Sequence, residues 1–311
     1  MSTQPGHKEN VGDVPRDVLL RLTHGALQHL AERSSVRLLH VKGAALHPAL
    51  AEGRAPSSDC DVLVHPQDVG RLTSALVASG WERITRFEWG SVFGHAATFY
   101  SPVWGTVDVH RLFPGLDRDP RASFELLWAR RESVELGDAI CPVPDLEAQR
   151  LILLVHAARD ATGKRAGDLA AAWGSLGPGE RASLDELADV LGATVPLALV
   201  TERPDLATGG RDEHTWRAVG RGADPTAVWS ARLRDARTPR EIVHVLRQAV
   251  RINPDHLALR LGRAPTGRER RREWWERWGR AAHRLRGAVH RWRQGRQAAR
   301  ARAEERRRSA R

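Results

Sequence analysis

Residues Val36–Val64 read VRLLHVKGAALHPALAEGRAPSSDCDVLV: an apolar run, a Lys-Gly turn, a short helical stretch, and a second apolar run opened by Asp59 and Asp61. In a strand, residues two apart share a face. The spacing therefore predicts Asp59 and Asp61 on one face and Cys60, Val62 and Val64 on the opposite, core-facing side. Two adjacent carboxylates repel unless a cation lies between them, and Mg²⁺, an oxygen-seeking ion that keeps part of its hydration, suits such a pair. The D-x-D spacing alone is common. A second instance, Asp117 and Asp119, lies in a Gly/Pro-flanked turn. Context separates the two, because the first pair follows a strand, a turn containing Lys42 and Gly43, and a short helix. A third acid, Asp108, interrupts the apolar run T-V-D-V-H-R-L-F, where a charge needs a reason to be. Three acids converging from two strands make one metal-binding site. The alternative for Asp108 is a buried ion pair with an arginine such as Arg111. For Lys42 and Gly43 it is a solvated strand end and a tight turn, against a phosphate site at a helix N-terminus.

These residues resemble the DNA polymerase β-like nucleotidyltransferases, most closely the branch of uncharacterised bacterial nucleotidyltransferases with Lys-Gly-x-x-Leu, then Arg, then D-x-D-x-L-V, then D-x-H. Here those are Lys42-Gly43-Ala44-Ala45-Leu46, Arg54, Asp59 to Val64, and Asp108-Val109-His110. The resemblance spans Leu20 to Asp168. It implies an α/β (α+β) core with a mixed sheet and flanking helices. It further implies two divalent ions, Mg²⁺ or Mn²⁺, held by Asp59, Asp61 and Asp108, with an NTP as co-substrate. Transfer of a nucleoside monophosphate to a hydroxyl or similar acceptor, with release of pyrophosphate, would follow. Lys42, Gly43, Ala44 and Arg54 would meet the nucleotide, with pairing to the acids as the alternative for Arg54, and His110, His156, Lys164 and Asp168 are candidates for acceptor contacts. For His156 and Asp168 the alternative is a salt-bridged helix pair, and for His110 a hydrogen-bonded packing histidine. His47 and His65 are read as surface histidines nearby. The superfamily usually has Gly-Ser before the D-x-D, where this chain has Lys42-Gly43. The competing function is a binding or scaffold protein that keeps the fold without turnover and acts through a basic tail.

The 311 residues suffice for two cores. Formal charge is +11, but residues 263–311 carry 18 Arg against 5 acids, leaving the body near neutrality. The high pI is thus no evidence that the body grips nucleic acid. The two cysteines, Cys60 and Cys141, are too few and too unpatterned for a disulfide framework or a zinc site, and Cys60 reads as a small core residue. Without an apolar leader or a run of membrane-spanning length, the cytoplasm is the expected location.

In chain order, residues 1–12 are expected to be disordered, and 13–144 to form the catalytic domain. That domain holds a helix over 14–33, strands at 36–41 and 59–64, and a helix over 66–80. Hairpins follow at 95–100 with 106–113, and at 132–136 with 140–143. Gly43 is expected to open a helix running through Ala51. Asp145 caps a helix with Leu146, Leu151, Leu154, Val155 and Ala158 buried, opening a helical domain over 145–262. In the tail over 263–311, Trp275, Trp278, Ala282, Leu285, Val289 and Trp292 recur at helical spacing on a basic background. That stripe can dock on the protein's own core, on an anionic membrane surface or a partner, or on nucleic acid.

Overall fold

The computed structural model describes residues 14–280, except 53, 55–56, 90–92 and 162–164, together with 283 and 286. The chain forms two compact units, one up to Val245 and one from Leu246. Among the described residues no helix is long and apolar enough to cross a membrane.

The first unit opens with α1 (Arg16–Arg33), β1 (Leu38–Val41), a three-residue turn at Gly43–Ala45, α2 (Pro48–Ala51), β2 (Cys60–Val64) and α3 (Val69–Ala78). There follow β3 (Glu82–Arg83), β4 (Ala96–Ser101), β5 (Gly105–His110), α4 (Pro120–Ala129), β6 (Glu132–Leu136) and β7 (Ala139–Val143). The remainder is helical: α5 (Leu146–Ala157), α6 (Arg165–Leu169) with a π-helical turn, α7 (Pro178–Leu191), α8 (Thr194–Val200), α9 (Pro204–Ala207), α10 (Glu213–Gly220) and α11 (Pro225–Asp235). The main sheet runs β1-β2-β5-β4-β3, with β2 and β5 parallel and the other pairs antiparallel. This is the expected mixed sheet, and β6–β7 is the expected separate hairpin.

Period-two alternation builds the layers. Leu38, Cys60, Val62, Val64, Val107 and Val109 face a cluster with Leu27, Leu30 and Ala31 of α1 and Leu72 and Leu76 of α3. Leu39, Val41 and Leu63 face the opposite way, into a larger cluster with α4, α5, α7, α8 and Trp216. Burying one such leucine or phenylalanine is worth ~1.5–3 kcal/mol, so a one-residue register slip would invert both faces at once. The helices after Asp145 thus share their apolar cluster with strands β1 and β2.

Three local expectations change. Gly43 to Ala51 is not one helix: Pro48 has no N–H to continue a helical ladder, and the segment divides into the Gly43–Ala45 turn and the single-turn α2. A three-residue turn has no helix dipole to offer a phosphate. Helix α4 was not foreseen, although Asp119 caps it by accepting from the Ala122 N–H at 3.0 Å and Pro120 fills its first turn. His65 is buried, not at the surface, edge-on to Phe124 with ring centroids 5.2 Å apart.

In the second unit α12 (Pro239–Val250) is completed and α13 (Pro254–Leu261) follows, and residues 267–280 are helical. Trp274 donates its indole N–H to the Val250 carbonyl at 3.1 Å. Trp275 and Trp278, which begin the expected stripe, are 69% and 39% exposed. Ala282, Leu285, Val289 and Trp292 lie outside the described residues.

Helix α1 approaches the β6–β7 turn closely. A Cβ on Gly25 would lie 2.3 Å from the Gly137 carbonyl oxygen, whereas one on Gly70 in α3 meets nothing within 4 Å. Gly25→Ala is therefore expected to cost ~1–3 kcal/mol by overpacking and Gly70→Ala to gain ~0.4–1 kcal/mol. Urea midpoints of the two variants check this, and equal stability would refute the close approach.

Candidate active site

The parallel pairing of β2 with β5 sets Asp61 directly beside Asp108, and Leu63 beside His110. Both acids point to the face that carries Leu63, away from Cys60 and Val62. Ligand atoms of Asp61, Asp108 and His110 lie within 4.8 Å of one another. Asp61 is buried. One of its oxygens, Oδ1, takes both the Lys42 ammonium at 2.9 Å and His110 Nε2 at 2.7 Å. Burial alone would raise its pKa, but Lys42 and His110 outweigh it and hold the carboxyl well below the usual carboxylate range. Asp108 accepts from the Thr98 hydroxyl at 2.7 Å. Its pKa goes the other way, raised first by burial, against the Thr98 hydrogen bond, with the charges of Asp61 and Asp59 adding to the rise. A second negative charge is thus resisted at this spot until a cation joins it. Arg111 is not its partner, since that guanidinium donates to the Gly94 carbonyl and lies over Phe87.

Asp59 stands just before β2 and outside this group of three. Its Oδ1 accepts from Ser57 at 3.1 Å and Ser58 at 3.2 Å, although its charge is felt at Asp108 and Cys60. Lys42 sits at φ 63°, a left-handed conformation costly for a side-chain-bearing residue, which turns its ammonium toward Asp61. Gly43 follows at φ 55°, and a Cβ there would come within 3.1 Å of Ser57 Cβ. A serine therefore does lie against the Lys-Gly turn, supplied from the loop before β2. No spacing in the sequence reveals it. Ala44 lies half-buried in the same turn.

A second group lies alongside. Arg54 is ion-paired with Asp168, and His156 Nδ1 is 3.8 Å from the other Asp168 oxygen. Asp168 favours the charged imidazole, but burial with the Lys42 and Arg159 charges leaves the His156 pKa lowered. This is the salt-bridged arrangement that the sequence left open, and Arg54 is part of it. Lys164 lies outside the described residues.

Sequence reasoning missed Arg159, on the turn after α5. Its guanidinium lies over Phe113 at 5.7 Å and 3.4 Å from His95 Nε2, and its Nε is sealed from water without a hydrogen-bond partner. Among the described residues it has no carboxylate within ion-pair distance. Burial lowers its pKa to about 10, against the attraction of Asp61. The His95 pKa is pushed down to about 2 by burial, with His110 and Arg159 adding to the effect.

Residues 15–204 match the uncharacterised nucleotidyltransferase family, so the match covers the sheet, the hairpin and the helices through α8. The chain belongs to that family and is a nucleotidyltransferase enzyme. No curated protein matches it. Among solved structures, the lincosamide antibiotic adenylyltransferase LnuA with lincomycin bound is similar at 18% identity and TM-score 0.34, over 47% of this chain and 92% of that one. The antibiotic-resistance factor ANT(2'')-Ia gives 15% identity and TM-score 0.38, over 56% of this chain and 92% of that one. An antigenic nucleotidyltransferase-like protein from Paracoccidioides brasiliensis gives 19% identity and TM-score 0.36, over 61% and 90%. These likenesses are distant.

The Lys42–Asp61 ion pair has a direct test. In Lys42→Met, which removes the charge at similar volume, the Asp61 carboxyl is expected to titrate at higher pH than in the wild type. Carbon-13 NMR of the aspartate carboxyls reads the change. An unmoved Asp61 would contradict the pairing.

Proposed function

We propose that this enzyme transfers a nucleoside monophosphate from an NTP to a hydroxyl acceptor and releases pyrophosphate. The observation that carries the reading is the side-by-side placement of Asp61 and Asp108 by parallel strand pairing, in a chain of nucleotidyltransferase family. The donor set fits a hard divalent ion of the Mg²⁺ or Mn²⁺ kind, because two carboxylates face each other and the raised Asp108 pKa marks a spot that favours added positive charge. Asp61 and Asp108 would hold it, with Asp59 placed next to them. When bound, such an ion supplies Lewis-acid activation of the acceptor hydroxyl and neutralises phosphate charge.

The remaining work falls to the chain's own groups. His110 fixes the orientation of Asp61 from beneath, since its Nε2 engages the same oxygen as Lys42. Thr98 does the same for Asp108. Lys42 can exchange Asp61 for a phosphate oxygen, because an ammonium is a mobile point charge with three donors. Arg159 offers its planar fork to the triphosphate or to the departing pyrophosphate, where fixed positive charge stabilises the negative charge that develops. Phe113 and the neutral His95 pack against that guanidinium. The Arg54–Asp168–His156 group, close enough for His156 to feel the Lys42 and Asp61 charges, would meet the acceptor in this reading.

Three variants test these assignments. Asp61→Asn keeps the volume and loses a carboxylate, so transfer is expected to fall by about 100-fold or more, with circular dichroism keeping the native fold and a lowered melting temperature, because Lys42 loses its buried partner. Asp108→Asn is expected to lose chemistry but keep nucleotide binding. Arg159→Ala should weaken Mg²⁺-dependent NTP binding by about tenfold or more, as expected for a charge-assisted contact, with Arg159→Lys restoring part of it. Calorimetry with NTP and Mg²⁺ measures the binding terms. Undiminished turnover in Asp61→Asn would overturn the site.

A further inference from the structure

Behind β2, on the face opposite the acids, two histidines and a cysteine meet in the core. His24 comes from α1, His40 from β1 and Cys60 from β2, and all three are fully buried. The two Nδ1 atoms are 2.8 Å apart and Cys60 Sγ is 3.1 Å from His24 Nδ1. One ligand atom from each residue lies within 4.8 Å of the other two.

The hydrogen count in this group does not close. Gln28 donates its Nε2 to Glu32 Oε1 at 2.8 Å, so its Oε1 faces His40 Nε2 at 3.1 Å and must accept from it. His40 therefore carries its proton on Nε2, and its Nδ1 is a bare lone pair. Burial holds both rings neutral, lowering the His24 pKa to about 4 and that of His40 well below its usual value. With the His24 proton on Nδ1, one hydrogen serves both His40 Nδ1 and Cys60 Sγ, and the Cys60 thiol proton has no acceptor within the trio. With it on Nε2, two lone pairs confront each other at 2.8 Å. Under either tautomer His24 Nε2, sealed from water, has no partner. Polar groups this deep are normally satisfied.

A single cation among the three atoms accepts all three lone pairs. We propose that His24, His40 and Cys60 form a structural site for a borderline-soft divalent ion of the Zn²⁺ class, which clips α1, β1 and β2 together behind the catalytic strand. The donor set selects the ion: imidazole nitrogen and thiolate suit Zn²⁺, whereas Mg²⁺ seeks oxygen. For His40 the outer partner matches as well. A metal-bound histidine ordinarily donates its other N–H to an oxygen acceptor that is itself held in place, as Gln28, anchored by Glu32, holds His40.

Loading has a defined balance. The Cys60 thiol releases its proton to solvent on becoming a thiolate, and the His24 proton resides on Nε2. These three residues fill three of four tetrahedral positions, and with Zn–N near ~2.0 Å and Zn–S near ~2.3 Å the ligand atoms spread to roughly 3.3–3.6 Å. That is a shift of about half an ångström from the metal-free spacing. The site stands apart from the nucleotidyl-transfer reading, because its donors face the other side of β2 and differ in kind from those of Asp61 and Asp108.

The test is metal analysis of the full-length, untagged chain, purified without chelator after refolding in excess Zn²⁺. The expected result is about one zinc per chain, kept in Asp61→Asn and lost to background in Cys60→Ser. Wild type refolded with Co²⁺ should show a thiolate-to-cobalt charge-transfer band, so the proposal remains testable even if a ligand variant fails to fold. Folded wild type with neither bound zinc nor a cobalt band would overturn it, as would zinc content unchanged by Cys60→Ser.

Discussion

The site depends on one pairing: β2 and β5 run parallel with Asp61 opposite Asp108. It brings two carboxylates together on a face that is otherwise apolar, where uncompensated charge is costly. The surrounding groups read as responses to that cost. Lys42 adopts a left-handed backbone to reach Asp61, His110 donates from the neighbouring strand, and Thr98 supports Asp108. The compensation is unequal. Asp61 is held ionised while Asp108 resists ionisation, and that asymmetry leaves the place for a further positive charge.

Strand β2 serves two faces with different chemistry. Asp61 points to one side, beside Asp108, Lys42 and His110, and Cys60 points to the other, beside His24 and His40. Period-two alternation puts hard and soft donors one residue apart yet on opposite sides of a sheet. The Cys60 side ties the strand to α1 and β1, which bears on how firmly Asp61 is held.

Much of this arrangement is legible in the amino-acid sequence, for identifiable reasons. D-C-D-V-L-V announces both the strand and its faces because alternation has a short period, and Asp108 stands out as a charge in an apolar run. The tendency of sequential strands to neighbour one another predicts a further strand beside β2, but not the parallel pairing with β5, which passes over β3 and β4. Asp59 is less well served by the same rule. The strand begins at Cys60, and two serines in the preceding loop take its carboxylate. Helix α4 has a legible Asp119-Pro120 start, but a second D-x-D in a Gly/Pro setting reads equally as a turn. Strand β3 has two residues and no periodicity to detect. Arg159 is one of 46 arginines in a chain biased toward arginine, and only the fold reveals that it lacks a carboxylate partner among the described residues. The trio behind β2 is also hidden, since His24, His40 and Cys60 have no ligand spacing in sequence.

The most direct measurement follows the label of an NTP. The full-length chain is incubated with Mg²⁺ and a host lysate, once with the nucleotide labelled at the α-phosphate and once at the γ-phosphate. Nucleotidyl transfer predicts α-label on an acceptor and γ-label released in pyrophosphate, both dependent on the divalent ion. Label from the γ-phosphate on the acceptor, or no metal-dependent movement of either label, would contradict the account.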